Sequence, residues 1–259
     1  MQFQKGNIGV FFRKDPTLKL WLPFEENSGT ITRDLSGNGN HGTINKTSVV
    51  SGKFGFARYF AGDGGWVDVG TGANPTTNSF SVLIWLKEGV PGRTEKINDI
   101  LDSRKTSSPY TGFLITTVYA SPYGRLRVQL NDTAVHEWSN GTIVFEDNKW
   151  HLISVIVDRI NKKMIWMVDD KIDVVNDISA VTGSLNSGKR MTFGYDDAYT
   201  NVTYIGTMDE AAIFFRALSP SEISQYYNWA ISNPKRNTLI IASSLLFNPA
   251  ISRRRLLLK

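Results

Sequence analysis

Residues 34–42 concentrate groups that bind cations. They include the Asp34 carboxylate, the side-chain amides of Asn38 and Asn40, and glycines that let backbone carbonyls turn inward. Calcium takes about six to eight oxygen ligands of these kinds. One carboxylate would leave the charge of the ion poorly compensated, so a second acid must come from elsewhere in the chain. The alternative is an Asx-turn, in which Asp34 and Asn38 bond only to nearby N–H groups.

Aromatic side chains near predicted loops form a second group. A sugar ring stacks its C–H face on an exposed aromatic ring, while Asp or Asn accepts hydrogen bonds from its hydroxyl groups. Residues 195–199 offer both elements within one short segment. The candidate glycan-binding residues are Tyr110, Tyr123, Trp138, Tyr195, Asp196, Asp197 and Tyr199. The alternative is a polar loop whose tyrosines pack locally.

The sequence offers little for nucleophilic or zinc chemistry. It contains no cysteine, which excludes thiolate ligands, a cysteine nucleophile and disulfides. Its three histidines, His41, His136 and His151, are scattered without zinc-ligand spacing, and no Ser/His/Asp set can be assembled from spacing. We therefore expect the side chains of all three histidines to have structural roles.

Short β-branched or alternating runs, separated by Gly, Asn, Asp and Ser clusters, predict an all-β sandwich or barrel. The predicted strands cover residues 18–24, 57–60, 66–69, 80–87, 99–103, 112–119, 125–130, 151–158, 164–168, 191–194 and 206–215. The tryptophans within or beside these strands, assigned to packing, are Trp21, Trp85, Trp150 and Trp166.

Two local signals are sharper. Residues 163–168 and 171–175 flank Asp169-Asp170 and predict a hairpin with a two-residue turn. Ser219, Pro220 and Glu222 form the pattern of a helix N-cap, a first-turn proline and a capping box. We expect one short helix that begins at 219–221 and runs to about Trp229.

The charge of the chain is unevenly placed. The formal net charge is +5, but residues 234–259 hold six basic residues and no acid, which leaves −1 for the remainder. A nearly neutral main domain argues against nucleic-acid binding. No apolar run approaches the ~20 residues of a membrane span, and the N-terminus lacks a secretory signal pattern. The tail suits docking to a partner chain, with a flexible end as the alternative.

Taken together, several segments resemble the laminin G-like or pentraxin-like branch of the concanavalin A-like superfamily. They occur in the order of the family and lie at residues 20–29, 34–42, 52–60, 66–69, 80–86, 150–157, 167–171 and 206–219. The resemblance implies a two-sheet antiparallel sandwich, usually a jelly roll. It also implies binding of carbohydrate or protein, since most family members are recognition or adhesion modules, some of them on phage and other viral particles.

The resemblance adds two expectations about sites. Related domains often hold a structural calcium between the 34–42 loop and an acid of the closing strand, which here is Asp209, with Asn38 and His41 contributing carbonyl groups. Some relatives are glycosidases, which need two carboxylates on one face. Asp209 and Glu210 are adjacent in a predicted strand and should point to opposite faces, so we expect no enzyme.

The sequence therefore predicts an N-terminal extension (1–16), a sandwich (17–230) and a basic, apolar tail (231–259). The predicted function is non-enzymatic recognition of a glycan or host-surface receptor, on a virion or another extracellular assembly. The tail is expected to contact another copy or a virion partner. The alternatives are a purely structural assembly subunit and, less favoured, a glycosidase of the same fold.

Overall fold

The computed structural model describes residues 12, 15–88, 98–105, 107–118, 122–196 and 203–233. The first eight strands are β1 (Leu18–Leu22), β2 (Ile31–Thr32), β3 (Gly42–Asn45), β4 (Thr47–Ser51), β5 (Phe56–Ala61), β6 (Trp66–Asp68), β7 (Phe80–Lys87) and β8 (Asp99–Asp102). The next elements are β9 (Tyr110–Thr117), β10 (Leu126–Thr133), β11 (Val135–Trp138), β12 (His151–Asp158), β13 (Lys163–Val168), β14 (Lys171–Asp177), β15 (Thr192–Phe193), β16 (Ile205–Phe214) and helix α1 (Pro220–Ser232).

The strands form two antiparallel sheets packed face to face. The first sheet has the order β14-β13-β12-β7-β16-β5-β4, with β1 also paired to β16, and the second has the order β11-β10-β9-β8-β15-β6-β3-β2. Side chains alternate between the faces of a strand. In β10, Leu126, Val128 and Leu130 enter the core between the sheets, while Arg127 and Gln129 take the opposite face. The predicted two-sheet sandwich is confirmed.

Helix α1 covers the other face of the first sheet. Trp85 of β7 donates from Nε1 to the Tyr226 hydroxyl at 3.0 Å, and Ile223 and Ala230 of the helix lie in the same buried cluster. Full burial of one such large apolar side chain stabilises the fold by about 1.5–3 kcal/mol. Because β7 is buried on both faces, its residues 82–86 form a continuous apolar run rather than an alternation. No described helix is long and apolar enough to cross a membrane.

The packed unit includes residues that the sequence assigns to an N-terminal extension. Phe12 is fully buried, and its ring centroid lies 5.2 Å from those of Trp21 and Tyr226. Asp15 forms an ion pair with Arg216 at 2.7 Å. The tail beyond position 233 lies outside the described residues.

The N-terminus of α1 has the predicted capping box. The Ser219 Oγ accepts from the Glu222 N–H at 3.2 Å, and the Glu222 carboxylate accepts from the Ser219 N–H at 2.8 Å. These two bonds supply side-chain acceptors at the start of the helix, where N–H groups have no i→i−4 carbonyl partner. Leu218 and Ile223 are both buried in the cluster beneath the helix. The helix runs three residues beyond the expected end at Trp229.

The hairpin of β13 and β14 is also present. Val168 pairs with Lys171 across the two-residue turn, and Asp169 takes a φ of 61°, which Asp tolerates better than most residues. Four short strands were missed by the sequence analysis: β2, β3, β4 and β11. Each has at most five residues, and β3 begins at the last glycine of the 34–42 loop, where turn residues mask the strand pattern.

The capping box yields a stability prediction. Ser219→Ala should lower the free energy of unfolding by about 1 kcal/mol, because the Glu222 N–H loses its side-chain acceptor and keeps only the Ser219 carbonyl. Ser221→Ala is the control, since that exposed hydroxyl contacts only Gln225 and should change stability by less than about 0.5 kcal/mol. Urea denaturation of both variants measures the difference. Equal losses would contradict a specific contribution of the cap.

His151 lies between two carboxylates beside the first sheet. Its Nδ1 is 2.9 Å from Asp169 and its Nε2 is 3.0 Å from Asp147. Both nitrogens can donate only when the ring is protonated. The hydrogen bond to Asp169 raises the pKa of His151 and outweighs the opposing effect of burial, with further help from Asp147.

This arrangement predicts a pH-dependent stability. A histidine whose pKa is raised on folding stabilises the protein fully below its unfolded pKa of about 6.5, and the contribution disappears as pH rises through the folded pKa. His151→Gln should therefore destabilise the protein most at acidic pH and progressively less above it. Lys149→Met, which removes an exposed cation paired with the same Asp147, should give a constant difference. Melting temperatures of the parent and both variants, measured from below pH 6.5 to above the folded pKa of His151, test the prediction. A deficit for His151→Gln that does not change with pH would refute it.

Candidate functional site

The outward face of the second sheet carries a transverse row of mostly polar side chains. The register places these residues side by side, in the order Glu137, Gln129, Leu114, Asp102, Thr192, Asp68 and Thr43. Their strand neighbours, such as Val128 and Phe193, point into the core. Helix α1 packs on the other sheet. On this face, Glu137 and Thr43 at the two ends of the row are exposed, whereas Asp102 and Thr192 at its centre are buried.

Arg104, just after β8, connects residues from three parts of this face. Its Nε and Nη2 donate to the two carboxylate oxygens of Asp102 at 2.9 and 3.1 Å, its Nη2 donates to Asp196 at 2.6 Å, and its Nη1 donates to Gln129 at 2.7 Å. Burial alone would lower the pKa of Arg104, but the hydrogen bonds and charges of Asp102 and Asp196 raise it overall. The guanidinium is therefore permanently charged.

A β-bulge brings a third carboxylate to the same place. The pairing of β8 with β9 shifts register between Asp99 and Leu101, so Asp99 and Asp102 approach each other although they are three residues apart. One carboxylate oxygen from each of Asp99, Asp102 and Asp196 lies within 4.8 Å of the other two, and all three residues are buried. These three residues with Arg104 are called the acidic cluster below.

The network continues to the edge of the sheet. Arg127 donates from Nε to Glu137 at 2.9 Å, and Gln129 donates from Nε2 to the same carboxylate at 2.6 Å. The hydrogen bond from Arg127 is the main cause of a lowered pKa for Glu137. Because Gln129 also accepts from Arg104, hydrogen bonds link the edge strand β11 to the acidic cluster.

An aromatic side chain lies on the same face, beyond the acidic cluster. The Arg190 guanidinium is 5.0 Å from the ring centroid of Trp66 and pairs with Asp68 at 3.2 Å. Trp66 and Asp68 are partly exposed, whereas Val67 between them is fully buried. The sequence analysis did not select Trp66 as a ligand candidate. In the sequence Trp66-Val67-Asp68, the polar Asp68 indicates the outward face of the strand. Trp66, two residues away, shares that face, and this signal would have placed Trp66 outside the core.

The segment 195–199 is only partly described. Asp196 is buried and forms an ion pair with Arg104. Tyr195 is partly buried and forms an isolated β-bridge with Thr203. Asp197 and Tyr199 lie outside the described residues. Of the predicted glycan ligands, Asp196 therefore joins the acidic cluster and Tyr195 lies next to it in sequence.

The other three aromatic candidates do not share one site. Tyr110, 41% exposed, begins β9, and Tyr123 follows the opposite end of that strand. Eight strand residues at ~3.3 Å each separate these positions by more than ~20 Å. Trp138 is partly buried, packs against the core between the sheets and stacks on His136 with ring centroids 6.3 Å apart.

In the predicted calcium loop, the Asp34 carboxylate already accepts several hydrogen bonds from protein groups. The Asp34 carboxylate accepts from the N–H groups of Trp21, Ser36 and Asn40 at 3.0, 2.8 and 2.9 Å, and from the Ser36 hydroxyl at 2.8 Å. The Asp34 N–H donates to His41 Nδ1 at 3.1 Å. The contacts from Ser36 and Asn40 are those of a local turn, whereas Trp21 lies 13 residues away in β1. A cation at Asp34 would have to replace some of these contacts.

The remaining predicted calcium residues also have partners. The Asn38 side-chain amide donates to the Leu18 carbonyl at 2.8 Å and ties the loop to β1. Asp209 accepts from the Phe54 N–H at 2.9 Å, on a different backbone segment from the donors to Asp34. Calcium binding by Asp34, Asn38, His41 and Asp209 stays a prediction.

The expectation that Asp209 and Glu210 point to opposite faces is wrong. The pairing of β16 with β7 shifts register after Asp209, and Glu210 takes a φ of 52°. This bulge turns both side chains toward the helix-covered face, where Glu210 accepts from Trp21 Nε1 at 2.7 Å. Both acids are fully buried beneath packed side chains.

The two packed sheets define a β-sandwich with one helix-covered face and one polar face. A laminin G family model, described as Concanavalin A-like lectin/glucanases superfamily, matches residues 60–224. The chain belongs to this superfamily, as the sequence motifs indicated. A search of curated protein sequences found no match.

Solved structures share the fold at low sequence identity. The binding domain of Paraclostridial Mosquitocidal Protein 1 aligns with TM-score 0.68 and 16% identity over 82% of this chain and 52% of that chain. Domain 4 of an extracellular arabinanase from Geobacillus stearothermophilus, in complex with arabinotriose, gives 0.59 and 17% over 80% and 97%. The binding domain of Botulinum neurotoxin DC, in complex with rat synaptotagmin II, gives 0.60 and 18% over 83% and 52%. The chain thus spans about half of the toxin domains.

The buried pairing of Arg104 predicts a large stability effect. Arg104→Met should lower the free energy of unfolding by about 3–5 kcal/mol at neutral pH, because Asp102 and Asp196 would remain buried without their cation. Arg190→Met, which breaks the more exposed pair with Asp68, should cost no more than about 1 kcal/mol. Urea denaturation of both variants measures the two losses, and similar values would contradict the assignment.

Proposed function

We propose that the protein is a non-enzymatic binding module whose ligand contacts the outward face of the second sheet. The observation that carries the proposal is the difference between the two outer faces. Helix α1 and its apolar cluster cover the first sheet, whereas the second sheet presents the polar row and the partly exposed Trp66. A surface with an aromatic ring beside acids and an arginine suits recognition of a polar ligand.

We propose a glycan as that ligand. Trp66 supplies a ring for the C–H face of a sugar, and Asp68 and Arg190 supply an acceptor and donors for its hydroxyl groups. Tyr195 is the candidate from the sequence analysis that lies next to this surface, since Thr192 in the polar row donates to its carbonyl. The arabinanase domain in complex with arabinotriose supports the choice of a saccharide.

A protein receptor is the second candidate, supported by the similar toxin domain in complex with rat synaptotagmin II. The proposed setting is a virion or another extracellular assembly, where the module would contact a glycan or receptor of the host surface. The tail at 231–259 is proposed to contact another copy or a virion partner. The extracellular arabinanase and the toxin domains are consistent with an extracellular setting.

A glycan array with the full chain tests the proposal. We expect binding to a limited set of saccharides, and Trp66→Ala should weaken it at least about tenfold, which corresponds to ~1.4 kcal/mol of lost contact. Phe56→Ala is the matched control, because Phe56 is an aromatic residue of the first sheet that is 41% exposed. This variant should bind as the parent does.

The outcomes separate the alternatives. If no saccharide binds, the glycan proposal is wrong, and a structural assembly subunit or a protein receptor becomes the better hypothesis. If binding survives Trp66→Ala but is lost in Tyr110→Ala, the site lies at that aromatic candidate of the sequence analysis and not at Trp66. Hydrolysis of a bound saccharide would revive the glycosidase alternative.

A further inference from the structure

The acidic cluster carries more negative charge than its neighbours neutralise. Asp99, Asp102 and Asp196 contribute three carboxylates, and among the described residues Arg104 is the cation that pairs with them, through Asp102 and Asp196. Fully ionised, the cluster therefore has a net charge of −2. Uncompensated charge is costly in a buried place, because ions lose their hydration there. A bound cation or a proton would compensate this charge.

Asp99 identifies where the compensation is missing. Its exposed fraction is 1%, and neither of its carboxylate oxygens has a hydrogen-bond partner among the described residues. The nearby Thr116 hydroxyl donates instead to the Asn98 carbonyl at 2.9 Å. A buried acceptor without a donor costs about 1–3 kcal/mol, and more when it is charged. Asp99 thus directs a desolvated carboxylate toward Asp102 and Asp196.

We infer that Asp99, Asp102 and Asp196 bind a divalent cation, and that this cation is Ca²⁺. Two oxygens that each lie ~2.4 Å from one Ca²⁺ are at most ~4.8 Å apart. The three carboxylate oxygens satisfy this limit pairwise. A charge of +2 also neutralises the cluster, including Arg104.

The ligand types favour calcium over other divalent metals. All three side chains offer oxygen only, whereas zinc sites in proteins use mainly Cys and His. Mg²⁺ requires near-ideal octahedral geometry at ~2.0–2.1 Å and usually keeps several of its waters, which suits a buried site less well. Calcium accepts irregular geometry, with water or second carboxylate oxygens filling its remaining positions.

This site is distinct from the 34–42 loop. Asp34 accepts hydrogen bonds from backbone N–H groups with both oxygens, whereas Asp99 has none. The ion would join Asp99 and Asp102 of β8 to Asp196, which lies shortly after β15, so it would stabilise the second sheet. The inference does not depend on the proposed glycan function, because it concerns the internal charge of the sheet.

Calorimetric titration of the full, chelator-treated chain with CaCl₂ tests the inference. We expect one ion per chain and a saturable increase in the melting temperature with calcium, since a ligand that binds only the folded state stabilises it by mass action. NaCl at equal ionic strength controls for screening. MgCl₂ should bind at least about tenfold more weakly, in line with its stricter geometry. Absence of both the binding heat and the calcium-dependent melting shift would overturn the inference.

Variants locate the ion. Asp99→Asn keeps the shape of the side chain and should abolish both calcium responses, while Asp68→Asn, a control from the same polar row, should retain them. If Asp99→Asn does not fold, Asp196→Asn provides the same test. Loss of the responses in Asp34→Asn but not in Asp99→Asn would place the ion in the 34–42 loop and refute this site. A calcium-insensitive parent that is stabilised by Asp99→Asn in chelator would show that a proton compensates the cluster.

Discussion

The apolar core between the two sheets determines which side chains of the second sheet face outward. One face of each strand packs in this core, so the side chains of Val67, Leu101, Val128 and Phe193 point inward. A shift of one residue in register would expose these side chains and bury their polar neighbours. The transverse row from Glu137 to Thr43 therefore exists because the core holds every strand of this sheet in register.

The two outer faces of the sandwich differ because the first sheet binds the helix. Its central strands β7 and β12 carry apolar side chains on both faces, and helix α1 covers the cluster around Trp85 and Tyr226. The capping box at Ser219 starts helix α1 a few residues after β16, which is a strand of the first sheet. The helix therefore packs on this sheet. The second sheet alternates between apolar and polar residues, and so its outward face can carry charge and ligand contacts.

Charged groups on that face are arranged by bulges and by one arginine. Burying several acids is unfavourable unless cations and hydrogen bonds compensate them. Arg104 compensates Asp102 and Asp196, and the bulge of β8 adds Asp99 without adding a cation. A similar bulge in β16 turns Asp209 and Glu210 beneath the helix, where Glu210 meets Trp21. Both bulges thus bring together carboxylates whose strand spacing alone would separate them.

The sequence by itself determined the sandwich, the β13–β14 hairpin and the start of the helix, because alternation, turn residues and caps are local properties. It also separated core tryptophans such as Trp85 from residues near loops. The tertiary structure alone decided that Asp99, Asp102 and Asp196 meet, since Asp196 lies about ninety residues from the other two and no local pattern encodes a bulge. It likewise placed Trp66 on the outward face and Trp138 against the core. Those positions depend on sheet order and register, which arise from packing between distant segments.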